Sequence, residues 1–365
     1  MLKIIIDKAI PHSSLFDPQH YQLQPLSAEQ ITAQACRLAD GLVVRSVTPV
    51  NEALIANSRI RWVASATIGT DHLDTEFLDA NNIAWTAAPG CNALAVVQYV
   101  LSVIAWRASM QNCSITDYRI GIIGCGQIGG RLQQALDLLQ CKSFVCDPIL
   151  QQQGKLANHY ELLEVAEQAD ILTLHTPLTR TGEFATYHAL DANFFASLAT
   201  NKLIINAARG DIIVESALID WLQRGGSACL DVWPNEPNIS AELLDLVSLG
   251  TGHIAGYSWQ GKRNATAMIA QACDEFFGIH RQRDLLAKST HRDMVVEASE
   301  NLSAVLLKSY PIDRDAAAFT NAVAPREPLS FMQYRDHYQL RHDYSGQDWR
   351  QTQFEALRKA FAKLV

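Results

Sequence analysis

A glycine-rich turn between an apolar run and a helical pattern constrains the fold of this 365-residue chain more than any other feature. Gly124, Gly126 and Gly129 form a G-x-G-x-x-G motif directly after the apolar run at 119–123 and at the start of a helical pattern at 129–139. In such a motif the first glycine permits a tight turn, the second lets a pyrophosphate approach the backbone, and the third lets helix and strand pack closely. The helix start also directs unpaired N–H groups at the phosphates. The motif therefore predicts a dinucleotide-binding turn.

An acidic residue after the next apolar run predicts which dinucleotide binds. Asp147 ends the predicted strand at 143–147, 18 residues after Gly129. A carboxylate at this place can hydrogen-bond the ribose hydroxyls and would repel a 2′-phosphate, which favours NAD over NADP. A glycine-rich turn without a ligand is the alternative interpretation. The chain has no G-x-x-x-x-G-K-[ST] phosphate loop, so the sequence gives no support to an ATPase or a GTPase.

Short apolar runs alternate with helical patterns along most of the chain. Strands are predicted at 3–7, 42–46, 62–67, 119–123, 143–147, 170–175, 202–207 and 228–233. Their Ile, Val and Leu residues occupy both faces, which is typical of parallel strands covered by helices on both sides. About 118 residues precede the glycine turn, enough for strands of their own. We therefore predict an α/β fold with two doubly wound, Rossmann-like parallel-sheet lobes and a substrate cleft between them.

The character of the sequence changes near residue 281. Residues 281–365 hold 13 Lys and Arg against 11 Asp and Glu, together with nine aromatic residues, whereas the whole chain carries a net charge of −8. Since interfaces are enriched in aromatic residues and Arg, this segment is predicted to be a small α+β dimerisation domain. An extra packed layer on one subunit is the alternative. The predicted domains are 1–93 with 256–280 for substrate, 94–255 for NAD, and 281–365 for homodimerisation.

The composition excludes several classes of function. An acidic chain that is 48% apolar and 19% charged is typical of a soluble globular protein and unsuited to nucleic acid. None of the eight cysteines forms a C-x-x-C pair and no Cys/His set has zinc spacing, which predicts free thiols, no metal and a reducing compartment. The start of the chain, at 1–7, is predicted to be a strand and not a signal peptide. The apolar stretch at 93–106 is expected to be too short for a membrane span, so the cytoplasm is predicted.

Three segments downstream of the glycine turn carry candidate catalytic residues. Arg209 follows a predicted strand, Glu236 follows another, and His253 lies in a glycine-rich turn. Loops at the carboxyl ends of strands are where open α/β sheets bind ligands. Oxidation of a 2-hydroxy acid needs a base, a cation for the carboxylate and a partner for the base, and His, Arg and Glu suit these tasks. Each residue alone could be structural, so the prediction depends on their joint occurrence.

These segments, with those at 44–48, 66–72, 88–93 and 253–262, resemble the D-isomer-specific 2-hydroxyacid dehydrogenases. The resemblance extends over essentially the whole chain and is weakest after residue 281. Within the family, the chain resembles members that act on a small phosphorylated 2-hydroxy acid. The implied reaction is oxidation of 4-phospho-D-erythronate by NAD to 2-oxo-3-hydroxy-4-phosphobutanoate, in the synthesis of pyridoxal 5′-phosphate.

The resemblance also implies residue roles. His253 would be the acid/base, Glu236 would orient it and raise its pKa, and Arg209 would bind the substrate carboxylate. The residues implied to contact substrate are Ser46, Thr67, Tyr257 and, for the phosphate, Arg45. Arg335, Arg341 and Arg350 are further candidates for the phosphate. The residues implied to contact NAD are Gly124, Gly126, Gln127, Ile128, Gly129, Asp147, Thr176, Ala207, Asp231 and Gly256.

Two positions depart from the family's pattern. Gly252 stands where many members have proline, which would loosen the turn before His253. Gln98 stands where many members have an acid. Two other functions stay open: a related dehydrogenase of the phosphoglycerate or hydroxypyruvate type, and a non-catalytic protein that senses NAD.

Overall fold

The computed structural model of the protein describes residues 1–280, 292–295, 301–324 and 327–350. Its strands, in chain order, are β1 (Leu2–Asp7), β2 (Tyr21–Leu26), β3 (Gly41–Val44), β4 (Trp62–Ser65), β5 (Ala84–Thr86), β6 (Arg119–Ile123), β7 (Lys142–Cys146), β8 (Ile171–Leu174), β9 (Leu203–Asn206), β10 (Ser227–Leu230), β11 (Leu249–Gly250), β12 (Arg292–Val295) and β13 (Gln347–Arg350). Its helices are α1 (Ala33–Cys36), α2 (Glu52–Ile55), α3 (Thr75–Ala80), α4 (Ala93–Gln111), α5 (Gly129–Leu138), α6 (Pro148–Gln152), α7 (Leu162–Gln168), α8 (Ala192–Ser197), α9 (Glu215–Gln223), α10 (Ala241–Leu246), α11 (Trp259–Phe276), α12 (Leu302–Ser309), α13 (Ile312–Val323) and α14 (Pro328–His337).

The chain divides into two compact units. The first is built from Met1–Asn92 and the described residues of Ser258–Thr290, and the second from Ala93–Tyr257 and the described residues of His291–Val365. The second unit therefore includes the described part of the C-terminal segment. The three-domain division made from the sequence stays a prediction.

A parallel five-stranded sheet forms the centre of the first unit. Its strand order is β2-β1-β3-β4-β5, and every neighbouring pair is parallel. Apolar residues of β1 alternate between the two faces, with Ile4 and Ile6 in one buried cluster and Ile5 in another. This unit is therefore a doubly wound α/β layer, as predicted.

A parallel six-stranded sheet forms the centre of the second unit. Its strand order is β11-β10-β9-β8-β6-β7, so the order reverses between β6 and β8. Ile122 of β6 belongs to the core on one face, and the next residue, Ile123, belongs to the core on the other. The strands are therefore apolar on both faces because each face packs against a buried core, as predicted. The fold class predicted from the sequence is confirmed.

The strands that the sequence did not predict are short or lie at sheet edges. Strand β2 contains Pro25 and alternates apolar residues with Gln22 and Gln24, and β5 carries the partly exposed Trp85. Both are edge strands, where proline is tolerated and only one side needs to pair. Their polar, interrupted sequences therefore lack the apolar signal on which the other predictions depended.

Helix α4 is longer than the apolar stretch seen in the sequence. It has 19 residues, and by length and composition it could cross a membrane, so the expectation that it is too short was wrong. However, 78% of its apolar window is buried inside the protein. Core helices of soluble proteins have this property, and α4 packs against α5, α12 and α13 in the second unit.

Candidate active site

The six-stranded sheet places the predicted site residues along one edge. Because all its strands are parallel, the segments that follow them meet at the carboxyl end of the sheet. From one side of the sheet to the other, these segments carry Asp147 after β7, the glycine turn after β6, Thr176 after β8, Arg209 after β9, Glu236 after β10 and His253 after β11. The strand order thus places the glycine turn, Asp147 and Thr176 on one side of the sheet edge and the predicted catalytic residues on the other, where Ala207, Asp231 and Gly256 also lie.

The glycine turn lies at the point where the strand order reverses, which is the usual ligand position in open α/β sheets. Gly124 has φ +88°, a conformation that favours glycine. A Cβ on Gly129 would lie 1.9 Å from the carbonyl oxygen of Gly124, so only glycine permits this contact between helix and turn. A Cβ on Gly126 would meet no atom within 4 Å, which leaves the backbone approachable. The three glycines therefore have the distinct environments that a pyrophosphate cradle requires.

Two side chains beside the turn fit a dinucleotide. The Oγ1 atom of Thr176 is buried and has no hydrogen-bond partner among the described residues. Asp147 holds the turn, because its Oδ2 accepts from the backbone N–H of Cys125 at 2.8 Å and its Oδ1 accepts from that of Leu150 at 3.0 Å. The carboxylate stays partly exposed. An unsatisfied hydroxyl and an accessible carboxylate are groups that a bound nucleotide could satisfy.

Asn206 shapes the loop that carries Arg209. This asparagine is the last residue of β9 and is buried; its Nδ2 donates to the carbonyl of Arg209 at 2.9 Å, and its Oδ1 accepts from the N–H of Ala208 at 3.0 Å. Gly210 then packs against the backbone of Trp233, where a Cβ would lie 2.0 Å from the carbonyl oxygen. The loops after β9 and β10 are therefore in direct contact, and Arg209 stays partly exposed.

Asp231 organises the turn that carries His253. Its Oδ1 accepts from Thr251 Oγ1 at 2.7 Å and from the N–H of Ile254 at 2.8 Å, and its Oδ2 accepts from the N–H of Ala255 at 2.8 Å. Its backbone carbonyl accepts from the N–H of His253. Only 1% of Asp231 is exposed, so these bonds form out of water, where charge-assisted hydrogen bonds are strong. The sequence singled out Asp231 for a contact with NAD and gave no sign of this role.

His253 and Glu236 are brought together, as predicted from the sequence. The Nδ1 atom of His253 lies 2.8 Å from Oε2 of Glu236, and Oε1 of the same carboxylate accepts from the N–H of Trp233 at 2.7 Å. His253 has φ +57°, so it is held in a strained left-handed conformation. Since Nδ1 is bound to the carboxylate, Nε2 is the ring nitrogen left for a substrate. The imidazole keeps 36% of its side-chain surface exposed.

The electrostatics of Glu236 match this geometry. Burial on its own raises the pKa of the carboxyl, but the charge and hydrogen bond of His253, the N–H of Trp233 and the charge of Arg335 together lower the pKa below its ordinary value. Glu236 is therefore ionised and can stabilise a protonated imidazole.

The C-terminal segment packs directly on the catalytic turn. A Cβ on Gly252 would lie 2.7 Å from Cδ1 of Tyr334 in α14 and 2.9 Å from ring atoms of Phe319 in α13. Phe319 is fully buried and also packs on Trp233. Proline at position 252 would meet these rings. The departure from the family's pattern is explained by this packing, which holds the turn in place.

Arg341 ties the same segment to helix α4 and to the backbone that follows His253. Its Nε donates to Gln98 at 3.0 Å, and its two terminal nitrogens donate to backbone carbonyls. The residues that supply these carbonyls are Ala95, Ile254, Ala255 and Tyr257. Gln98 in turn donates to Ser309 Oγ and to the carbonyl of His342, which explains an amide at this position. With all five N–H groups engaged, Arg341 is a structural arginine and a poor candidate for the phosphate.

Arg335, in α14, lies beside Tyr257. Its Nη2 donates to the Tyr257 hydroxyl at 3.2 Å, and the guanidinium carbon lies 5.7 Å from the centre of that ring. Its Nε is buried without a hydrogen-bond partner among the described residues. The side chain of Arg350, the fourth candidate, lies outside the part of the chain that the structure describes.

Three predicted substrate contacts belong to the first unit. Arg45 pairs with the buried Asp7, with Nε 2.9 Å from Oδ2, and Ser46 is exposed after β3. Thr67 joins a hydroxyl chain, because its Oγ1 lies 2.7 Å from Oγ of Ser65, which lies 3.0 Å from Nε2 of His72. His72 therefore has a defined polar contact.

The sequence missed the residues Asn206 and Thr251, and it missed the positioning roles of Arg341 and Asp231. Their contacts join segments far apart in the chain, so local patterns could not reveal them. Within the described ranges, no cluster of three or more His, Cys, Asp or Glu side chains suits a metal ion.

Comparison with known proteins gives the chain its relatives. Residues 97–255 match the family model of the D-isomer specific 2-hydroxyacid dehydrogenase, NAD binding domain. The erythronate-4-phosphate dehydrogenase of Pectobacterium carotovorum is 38% identical over 360 residues, covering 94% of this chain and 93% of that protein. The protein of the same name from Sodalis glossinidius is 40% identical over 288 residues, covering 78% and 76%.

Solved structures show the same fold. The NAD⁺-bound 3-phosphoglycerate dehydrogenase of Entamoeba histolytica has a TM-score of 0.62 and 23% identity, covering 76% of this chain and 95% of that one. The formate dehydrogenase of Staphylococcus aureus in complex with NAD has a TM-score of 0.61 and 18% identity, covering 78% and 98%. At these identities the likeness establishes the fold alone.

Proposed function

The chain belongs to the erythronate-4-phosphate dehydrogenases, within the D-isomer-specific 2-hydroxyacid dehydrogenases, and on that premise we propose that it oxidises 4-phospho-D-erythronate with NAD. The product is 2-oxo-3-hydroxy-4-phosphobutanoate, made in the synthesis of pyridoxal 5′-phosphate. Three relatives of this name match over more than nine-tenths of both chains.

The residues on the second unit have the chemistry that this oxidation needs. His253 takes the proton of the 2-hydroxyl through Nε2, because Glu236 holds Nδ1. The ionised Glu236 stabilises the imidazolium that results. The planar guanidinium of Arg209 binds the substrate carboxylate through two parallel hydrogen bonds. When bound, NAD accepts the hydride from carbon 2.

The cofactor residues favour NAD over NADP. Asp147 presents a partly exposed carboxylate after β7, where it would accept from ribose hydroxyls and repel a 2′-phosphate. Thr176 has a buried hydroxyl for a further contact. Gln127, Ile128, Ala207 and Gly256 remain proposed contacts through their positions at the same sheet edge.

One observation carries the proposal: the 2.8 Å contact between His253 and Glu236 at the carboxyl edge of a dinucleotide-binding sheet. A merely structural histidine would not need a carboxylate on one nitrogen and a ring that stays partly exposed. The pair is the acid/base arrangement of a dehydrogenase.

Initial rates of NADH formation test the proposed substrate. The assay compares 4-phospho-D-erythronate with 3-phosphoglycerate, in the presence of a carbonyl reagent that removes the 2-oxo product and leaves NADH to be measured. We expect the phosphorylated four-carbon acid to be preferred by at least about a hundredfold in kcat/KM, since the site must match its length and charge. Preference for 3-phosphoglycerate would favour a related dehydrogenase. Binding of NAD without turnover of either acid would favour a sensing protein.

We also propose that the protein is a cytoplasmic homodimer. The aromatic residues of the C-terminal segment favoured a subunit interface in the sequence. Tyr310, Phe319 and Phe331 are buried within one chain, so these three give the dimer no support. Leu329, on α14, is 61% exposed and is available for a subunit contact. Light scattering coupled to size-exclusion chromatography should give twice the mass of 40.4 kDa, and the monomer mass would refute the dimer.

A further inference from the structure

Arg335 is a cation placed beside the catalytic pair by the C-terminal segment, and its guanidinium is only partly used. One terminal nitrogen donates to Tyr257, whereas the buried Nε has no hydrogen-bond partner among the described residues. Leaving a charged donor buried without a partner is energetically unfavourable. Such a donor in a functional region therefore indicates a ligand that completes it.

The surroundings of Arg335 are those of the candidate site. Burial has the largest effect on the pKa of Glu236 and raises it. His253 and the N–H of Trp233 lower this pKa, and the charge of Arg335 lowers it further by a smaller amount. Tyr257 follows His253 by four residues on the same turn, and its ring lies under the guanidinium. The Tyr257 oxygen accepts the hydrogen bond from Arg335, so the hydroxyl hydrogen is not used in that bond.

The strand order indicates which end of the substrate lies near Arg335. Arg209 follows β9, and His253 follows β11, two positions further along the sheet. If Arg209 holds the carboxylate and His253 the 2-hydroxyl, the rest of the substrate extends away from Arg209, on the side of Tyr257 and Arg335. The group at that end of 4-phosphoerythronate is a phosphate.

Of the other cations in this segment, Arg341 is not available for this task. Its five N–H groups are engaged by carbonyl oxygens and Gln98. Arg314, on α13, is exposed. Arg335 is therefore the described arginine of the C-terminal segment that combines a position beside the catalytic turn with an unsatisfied donor.

We propose that Arg335 recognises the terminal phosphate of the substrate, with Tyr257 beside it, and so selects phosphorylated over unphosphorylated 2-hydroxy acids. This rests on the proposed function. The C-terminal segment then contributes a specificity-determining residue from within the same chain. Arg suits the role because its planar fork binds phosphate oxygens through paired hydrogen bonds.

The test compares 4-phospho-D-erythronate with D-erythronate, which lacks the phosphate. Arg335→Gln should raise KM and the calorimetric dissociation constant for the phosphorylated acid about a hundredfold, and change kcat/KM for D-erythronate by less than about threefold. Arg335→Lys, which keeps the charge and loses the fork, should fall between. Inorganic phosphate should compete with substrate in the wild type and at least tenfold more weakly in Arg335→Gln.

Arg314→Gln, which removes an exposed charge from the same segment, is the matched control and should behave as the wild type. An equal loss with both acids would overturn the proposal, since it would mean that Arg335 acts on the catalytic pair alone. Unchanged phosphate competition would overturn it too, and this readout needs no turnover. If the wild type binds phosphorylated acids through Arg335 but oxidises none, the proposed function fails and this inference stands.

Discussion

Glu236 and His253 show what a residue type can and cannot predict. Their chemistry pointed to an acid/base pair, but 17 residues separate them and only the fold brings Nδ1 within 2.8 Å of a carboxylate oxygen. The sequence could nominate the pair because Glu236 follows a predicted strand and His253 lies in a glycine-rich turn. It could not reveal that Trp233 orients the carboxylate or that Asp231 fixes the turn, since those contacts involve backbone N–H groups.

Glu236→Gln tests how the carboxylate acts on the imidazole. The carboxylate accepts from Nδ1 and stabilises the charge that the ring gains when it takes the substrate proton. Without it, kcat/KM for oxidation at neutral pH should fall about tenfold to a hundredfold. Because the pKa of the Glu236 carboxyl lies below its ordinary value, the wild type should lose this advantage only as the pH falls through that lowered pKa and the carboxylate becomes protonated.

The measurement is initial rate against pH at limiting substrate. Glu242→Gln, which removes an exposed carboxylate from α10, is the control and should keep the rates of the wild type. Equal rates for Glu236→Gln and the wild type at neutral pH would show that the 2.8 Å contact has no electrostatic role.

Gly252→Ala tests how closely the rings of Tyr334 and Phe319 pack on Gly252, the position where many family members have proline. Its Cβ would lie under 3.0 Å from Tyr334 and Phe319, so both rings must shift. We expect the free energy of unfolding to fall by about 1–3 kcal/mol, as for other overpacked cores. Urea denaturation measures this. In a Tyr334→Ala background the same substitution should cost less, and an equal cost in both backgrounds would contradict the contact.

At the scale of elements, the sequence predicted the strands with continuous apolar runs, including β7 at an edge of the second sheet, and missed those that are short or of mixed sequence. Strands β6 to β10 carry continuous apolar runs because helices cover both sides of the sheet. Strands β2 and β5 lie at sheet edges and carry mixed sequences. The position of α14 against the catalytic turn was beyond prediction, because its residues reveal no partner until Gly252 and Tyr257 are seen beside them.

Arg341→Lys tests the connection between the segment after α14, helix α4 and the catalytic turn. Lysine keeps the charge but offers three N–H groups from one atom, so it cannot reach both the carbonyl of Ala95 in α4 and the carbonyls after His253. We expect a loss of about 2–4 kcal/mol in the free energy of unfolding, together with lower kcat. Arg314→Lys is the exposed control. A stable Arg341→Lys with full activity would mean that these hydrogen bonds do not position the turn.

At the scale of the whole molecule, the sequence predicted two α/β layers and a distinct C-terminal segment. Its aromatic content was consistent with a dimer interface or with an extra packed layer. The described residues show extensive packing within one chain, since Phe319 and Phe331 join the core around Trp233. Composition could not decide between these uses, because burial against the same chain and burial against a partner require the same residues.

His253→Ala tests the central claim. The claim is that one imidazole, oriented by one carboxylate, carries the proton transfer, and that other residues bind the nucleotide. NADH formation from 4-phospho-D-erythronate should fall by at least about a thousandfold, because the general base is gone. NADH binding, followed by fluorescence titration, should stay within about twofold, since the glycine turn, Asp147 and Thr176 are untouched. Turnover within tenfold of the wild type would contradict the account.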